Sequence, residues 1–347
     1  MGTARPNRKD GAAAAVLAGD VGGTKTLLGL FGTVDGRLRS VREASYASQE
    51  APDLPSMVRA FLARGRERPE VFAVGVAGPV VAGRSQVVNL PWTVDDSELA
   101  RTFGFRSVRV LNDLEATGWA VPALEGRQLR SLTHGLRPGA GNAAVISAGT
   151  GLGMAILVRD GARWLVSASE GGHQDFPPRD ETEMELHSFV RRELRGRVSV
   201  ERLVSGDGIS RIYRFLVATG RTRESSAMRR RLAAAPDQNA AISRAALSGR
   251  DAACVRTLEM FVGLYGAAAG NLALVARAVG GVFVAGGIAP KILPALRWGG
   301  FLRAFRSKGR LSTLLETIPV KVVLEKRAAL LGAGLCAVDL ARRGETS

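Results

Sequence analysis

Little in this sequence could cross-link, chelate or span a bilayer. Its 347 residues include two cysteines and three histidines, and aromatic residues make up only 5%. Cys254 and Cys336 are too far apart for a disulfide framework or a zinc-type spacing. They read as small core fillers in a reducing, cytoplasmic protein. His134, His173 and His187 share no ligand-like spacing, which excludes a histidine-built metal centre. Glycines and charges interrupt every apolar run, so no membrane span is expected. Acidic residues are outnumbered, 32 against 48 basic ones, for a net charge of +16. Such a field could serve nucleic acid. Arginine is scattered, however, and is densest over 191–231 with few aromatics between. The charge therefore reads as a solvated basic surface that attracts anionic nucleotide, with no specific nucleic-acid partner.

What is present is ordinary globular material, 46% hydrophobic and 23% charged, long enough for two domains. Residues 1–14 carry charge followed by alanines and read as a disordered leader rather than a signal peptide. The stretch Val16–Phe31 then runs apolar strand, acidic glycine turn, apolar strand. A turn on Gly22 and Gly23 can aim backbone N–H groups at a phosphate, and Asp20 at its mouth can hold magnesium or its waters. Gly19, Lys25 and Thr26 imitate a Walker A loop, but Thr24 stands where its second glycine belongs and a strand follows instead of a helix. The competing interpretation is a plain hairpin turn.

Further along, residues 53–66 have a helical pattern, Val71–Val76 reads as a buried strand, and 78–92 suits a hairpin and loop. A helix is expected over Ser97–Phe103 and a strand over Val108–Asn112. Ala143–Leu157 repeats the opening design around Gly149, Thr150 and Gly151, without the acidic residue. The two hairpins, about 130 residues apart, suggest a duplicated domain with a cleft between its halves. A third glycine turn follows a strand at Val282–Ile288, and long alanine-rich helices are expected over 252–278 and 327–342, the last packing on the first domain.

Asp113 ends a strand, where ligands gather in open α/β sheets, and could take a proton from a hydroxyl. It could equally cap a helix over 114–120. Glu115, one turn on, should face solvent or a neighbour. Glu170 and His173, around paired glycines, could bind vicinal hydroxyls, although a lone histidine is usually structural. Glu201 precedes a glycine turn, Gly206–Gly208, and could be an exposed helical residue. Asn89 and Trp92 could line a sugar, or Trp92 could be a packed loop residue.

The segments GDVGGT (19–24), AGPV (77–80), VNLPW (88–92), LND (111–113), AGTGLG (148–153), EGGHQDF (170–176), VERLVSG (200–206), GNLAL (270–274), AGGI (285–288) and LLGAG (330–334) occur in this order. With them the chain resembles the bacterial glucokinase family of the actin, hexokinase and Hsp70 ATPase superfamily, from about residue 16 to residue 340. The ROK cysteine-rich zinc motif is missing. The resemblance implies a two-domain α/β, actin-like ATPase (ribonuclease H-like) fold with a duplicated mixed sheet flanked by helices and an interdomain cleft. Residues 15–122 with 328–347 would form the small domain and 123–327 the large one. It implies ATP-dependent phosphorylation of the glucose 6-hydroxyl, with Asp113 as general base. Asn89, Asn112, Glu170, His173 and Glu201 would bind the sugar. Gly19, Asp20, Val21, Gly22, Gly23 and Thr24 would embrace the phosphates of Mg2+-ATP together with Gly149, Thr150 and Gly151. Gly206, Gly286 and Gly287 would border the adenosine. The alternatives are another hexose (mannose, fructose, N-acetylglucosamine), polyphosphate as donor, or a sugar-binding regulator without turnover. A homodimer is the default expectation. Two departures stand out: Lys25 where relatives often carry Asn, and Lys326-Arg327-Ala328 where an Asn-Pro-Gly-like turn is usual.

Overall fold

Val16–Val21 (β1) and Lys25–Val34 (β2) fold back on each other as antiparallel strands, with Val16 opposite Phe31 and Val21 opposite Thr26. In the computed structural model, which describes residues 15–344, this hairpin begins the first of two compact units; the expected leader over residues 1–14 lies outside the described residues. The first unit ends at Ala123 and resumes at Lys326; the second is Leu124–Glu325.

In the first unit Arg37–Ala47 (β3) pairs antiparallel with β2, and Val71–Val76 (β4) runs parallel to β1. Arg84–Gln86 (β5) and Thr93–Asp95 (β6) form a separate small hairpin, so the ladder expected within 78–92 reaches slightly beyond that segment. Ser107–Asn112 (β7) then runs parallel to β4, giving the order β3-β2-β1-β4-β7. Strand side chains alternate between faces. Leu17, Val21, Phe72 and Val74 belong to one core; Val16, Ala18, Val71 and Ala73 belong to the other, with Leu330, Ala333 and Cys336 of the helix Ala328–Gly344. That helix lies so close to Asp113–Ala120 that a β-carbon on Gly332 would collide with the Ala116 carbonyl.

The second unit repeats the plan. Leu129–Ser131 (β8), Ala143–Ala148 (β9), Leu152–Asp160 (β10), Arg163–Ser169 (β11), Gly281–Ala285 (β12) and Val320–Val323 (β13) form a sheet in the order β11-β10-β9-β12-β13-β8. Its first two joints are antiparallel and the next two parallel, as in the first unit. Helices open where short polar side chains accept their orphan N–H groups: Asp53, Asp95, Asp180, Ser205, Ser225, Asp237 and Asp251 each cap one.

Two expectations fail here. The helix Ala252–Ala276 is long and apolar enough to cross a membrane by length and composition, contrary to the sequence analysis. Its interior is instead packed in the core of the second unit around Phe261, Tyr265 and Ala269. Gly206–Gly208 is not a free turn but the first turn of the helix Gly206–Ala218, because Ser205 accepts the Gly208 N–H and starts the helix there.

Candidate active site

The glycine turn of the first unit is held from behind. The Gly22 N–H donates to Lys25 O at 3.0 Å, and Ser48, fully buried, donates its hydroxyl to Gly22 O at 2.7 Å. The Ser48 N–H reaches Thr24 O at 3.0 Å, and its hydroxyl also meets Thr26 Oγ1 at 2.9 Å. Gly22 thus spends its amide on its own turn. Asn89 lies against Gly23, with its backbone in the left-handed region at φ 63°. Trp92, by contrast, is buried in the core, which settles it as a packing residue.

Asp20 and Asp113, the two acidic residues expected at the site in this unit, lie near enough to interact. Burial pushes the Asp20 carboxyl up to about 6; the nearby Asp113 charge pushes the same way, and Lys25 lowers it in part. Asn112 caps the helix Asp113–Ala120. Its Oδ1 accepts the Leu114 N–H at 2.9 Å while its Nδ2 donates to Gly78 O at 3.0 Å. Asp113 Oδ1 accepts the same Leu114 N–H at 2.9 Å, so its carboxylate stands at the positive end of the helix. Glu115 does not face solvent. It is buried against Arg109, with Arg109 Nη2 at 2.9 Å from Oε1, and burial raises its pKa against the pull of that guanidinium.

In the second unit three of the expected sugar residues converge. His173 Nε2 is 3.8 Å from Glu170 Oε2, and His173 Nδ1 is 3.9 Å from Glu201 Oε1. Glu201 is not an exposed helical residue: it sits in the short turn Val200–Arg202, and its Oε2 accepts the Leu152 N–H at 2.9 Å. That carboxylate also lies against Gly151, which ties a residue expected at the phosphates to one expected at the sugar.

A cavity of about 830 Å³ opens beside the second turn. Gly149, Thr150, Gly206 and Gly287 line it, with Asn239, Ser243, Ile288 and Lys291 among the other walls. Gly286 is not in the lining; its φ of 87° makes the turn, and a β-carbon there would strike Ala148 O and Ser147 Oγ. The Gly149 N–H closes on Gly151 O at 2.9 Å, and Gly149 O accepts the Gly206 N–H at 2.9 Å.

Two residues were missed by sequence reasoning. Ser48 lies in an unremarkable segment with no motif. Tyr265 sits mid-helix among alanines, where an apolar face reads only as core. Yet its buried hydroxyl accepts the Ala148 N–H at 3.1 Å and faces Ile146 O and Ala285 O, each at 3.4 Å. Burial pushes its phenol up, so it stays a neutral donor. The residue before the second glycine turn and the residue before the third thus share one anchor.

A glucokinase family model matches residues 17–340. The glucokinase of Nostoc punctiforme is 40% identical over 341 residues, covering 94% of this chain and 99% of that protein. The crystal structure of a glucokinase from an Antarctic psychrotroph superposes with a TM-score of 0.84 at 31% identity, covering 94% of this chain and 99% of the other. A ROK-family glucokinase from Streptomyces griseus, solved with glucose and AMPPNP, has a TM-score of 0.58 at 23% identity, covering 94% and 100%, and shares the fold. The paired mixed sheets are those of the actin-like sugar kinases. With its glycine turns, strand-end Asp113 and Glu170–His173–Glu201 cluster on the matched stretch, the chain belongs to the glucokinase family.

Proposed function

We propose that this chain transfers the γ-phosphoryl group of ATP to the 6-hydroxyl of D-glucose. The observation that carries the mechanism is Asp113, a half-buried carboxylate at the end of β7, oriented by the Leu114 N–H and standing near the desolvated Asp20. The hydroxyl oxygen forms its bond to phosphorus as the bond to the β-phosphate bridging oxygen breaks. Asp113 orients that hydroxyl and takes its proton; ADP and glucose 6-phosphate leave. The transition state is loose, so positioning and charge stabilisation dominate.

Asn89, Asn112, Glu170, His173 and Glu201 are the candidate sugar-binding residues, the last three already gathered around His173. Backbone amides of the glycine turns not already used in their own hairpins are the candidate phosphate donors. The 830 Å³ cavity at Gly206 and Gly287 takes the adenosine. Mg2+ would be held by one or two carboxylates together with substrate phosphates. Asp20 fits that role, as a buried carboxylate facing a like charge gains from a cation. Among the described residues no group of three or more His, Cys, Asp or Glu could hold a metal without substrate. The cation would neutralise the phosphate charge.

The test measures the sugar phosphate formed from glucose, mannose, fructose and N-acetylglucosamine, with ATP and with polyphosphate as donor, on wild type and Asp113→Asn. Glucose with ATP should lead. The variant keeps the Leu114 contact and should lose at least ~10²-fold in turnover, the lower end for general-base help. Its thermal unfolding should stay unchanged. Near-normal turnover would remove Asp113 from the mechanism.

A further inference from the structure

The helix Glu181–Leu194 ends in a run of arginines that the phosphoryl-transfer site does not use. Arg191, Arg192, Arg195 and Arg197 line a cavity of about 890 Å³ together with His187, Ser188 and Asp175. The guanidiniums are not needed to cap the helix. Arg195 turns left-handed at φ 52°, and its N–H and that of Gly196 both return to Arg191 O. Arg197 pairs with Asp175 at 2.9 Å. Among the described residues no carboxylate pairs with Arg191, Arg192 or Arg195. Glu193, the acidic side chain among them, is taken by Arg211 at 3.3 Å and Arg214 at 2.8 Å. Three guanidiniums without a carboxylate outweigh the roughly half negative charge of a helix C-terminus.

We propose that this bay binds a soluble condensed phosphate of at least three phosphoryl groups, and that its occupation loosens the sugar site. Guanidinium forks match phosphoryl oxygens two bonds at a time, and three unengaged forks ask for three such groups. The one aromatic ring in the lining, His187, has a face turned to Phe176, with ring centroids 6.4 Å apart.

The link to the sugar site is direct. Arg197 Nη1 donates to the His173 carbonyl at 2.7 Å as well as to Asp175. Behind it the two segments are zipped: the Phe176 N–H reaches Val198 O and the Val200 N–H reaches Gln174 O, both at 2.9 Å. His173 and Glu201 therefore stand on one small ladder whose outer end is Arg197. A phosphate chain that draws Arg197 toward itself takes the donor from His173 O. This second half of the proposal rests on the sugar-binding role given to His173 and Glu201; the first half does not.

Calorimetric titration of the full chain with tripolyphosphate, without nucleotide or Mg2+ and at constant ionic strength, tests both. Wild type should bind tripolyphosphate, and orthophosphate far more weakly. Arg191→Gln/Arg192→Gln/Arg195→Gln should lose at least about tenfold in affinity, or about 1.4 kcal/mol. Its turnover with ATP and its thermal unfolding should match wild type. Equal affinity in wild type and triple variant would place the anion elsewhere and overturn the binding claim. Equal binding of orthophosphate would reduce the effect to charge screening and overturn it too. For the coupling, saturating tripolyphosphate should raise the glucose dissociation constant in wild type and not in the triple variant, and Arg197→Gln should raise it without any anion. An unchanged glucose constant with tripolyphosphate bound would overturn the coupling, and leave the binding result standing whether or not the chain phosphorylates glucose.

Discussion

At the scale of single residues, Asp20 shows how a buried charge opposes stability. Its carboxyl is held near pH 6 in the folded chain against an ordinary 3.8. A raised pKa favours the protonated folded form. The stabilisation is therefore complete below the ordinary value and is lost as pH rises through about 6. Asp20→Asn removes that charge, so the ligand-free variant should be the more stable protein at pH 8, by no more than about 3 kcal/mol. The difference should shrink toward pH 4.5. Urea unfolding at the two pH values checks this; a variant less stable than wild type at pH 8 would mean that the Asp20 charge supports the fold. The same variant should lose turnover more than glucose affinity, if Asp20 serves the phosphate end. Asp20 was legible as a candidate because an acidic residue beside paired glycines is a local pattern. Its proton affinity was not, because desolvation comes from neighbours far along the chain. Glu115 makes the same point: spacing allowed solvent, and packing put it against Arg109.

At the scale of elements, the strand–turn–strand units were readable because alternation and glycine turns are written locally; β1 with β2 and β9 with β10 pair as the pattern requires. Where elements meet, the sequence is silent. The helix Ala252–Ala276 looks like an alanine-rich core rod, yet through Tyr265 it ties the ends of β9 and β12, from which the second and third glycine turns leave. Tyr265→Phe would leave the Ala148 N–H without its acceptor, a loss of ~1–3 kcal/mol for a buried group. Steady-state kinetics should show a raised KM for ATP with the KM for glucose unchanged, and melting should fall by a few degrees. A proportional loss in both KM values would make Tyr265 a general core residue instead of an anchor for the nucleotide turns. The Gly206–Gly208 segment was misread for a related reason. Glycines suggest a turn, but the Ser205 cap supplies the acceptor that lets a helix start there.

At the scale of the whole molecule, the net charge of +16 is a property of composition, and the field it makes is long-ranged. Association with DNA should therefore be non-specific. Fluorescence anisotropy with unrelated duplexes should show similar affinities that collapse between about 50 and about 200 mM salt. Tight, sequence-selective binding at physiological salt would favour the regulator interpretation. Most of the identity was legible along the chain: the order of motifs, the duplicated hairpins and the strand-end Asp113 all lie in contiguous stretches. By itself the sequence determined which local conformations form and which family they belong to, since turn chemistry, capping and alternation act over a few residues. Only the tertiary structure decided which groups feel one another's charge, share a hydrogen bond or line one cavity. Ser48 behind the first turn, Glu201 on Leu152 and Arg197 on the His173 carbonyl are contacts across long separations. Such contacts are set by how packed layers bring distant segments within a few ångströms, and no local pattern encodes that distance.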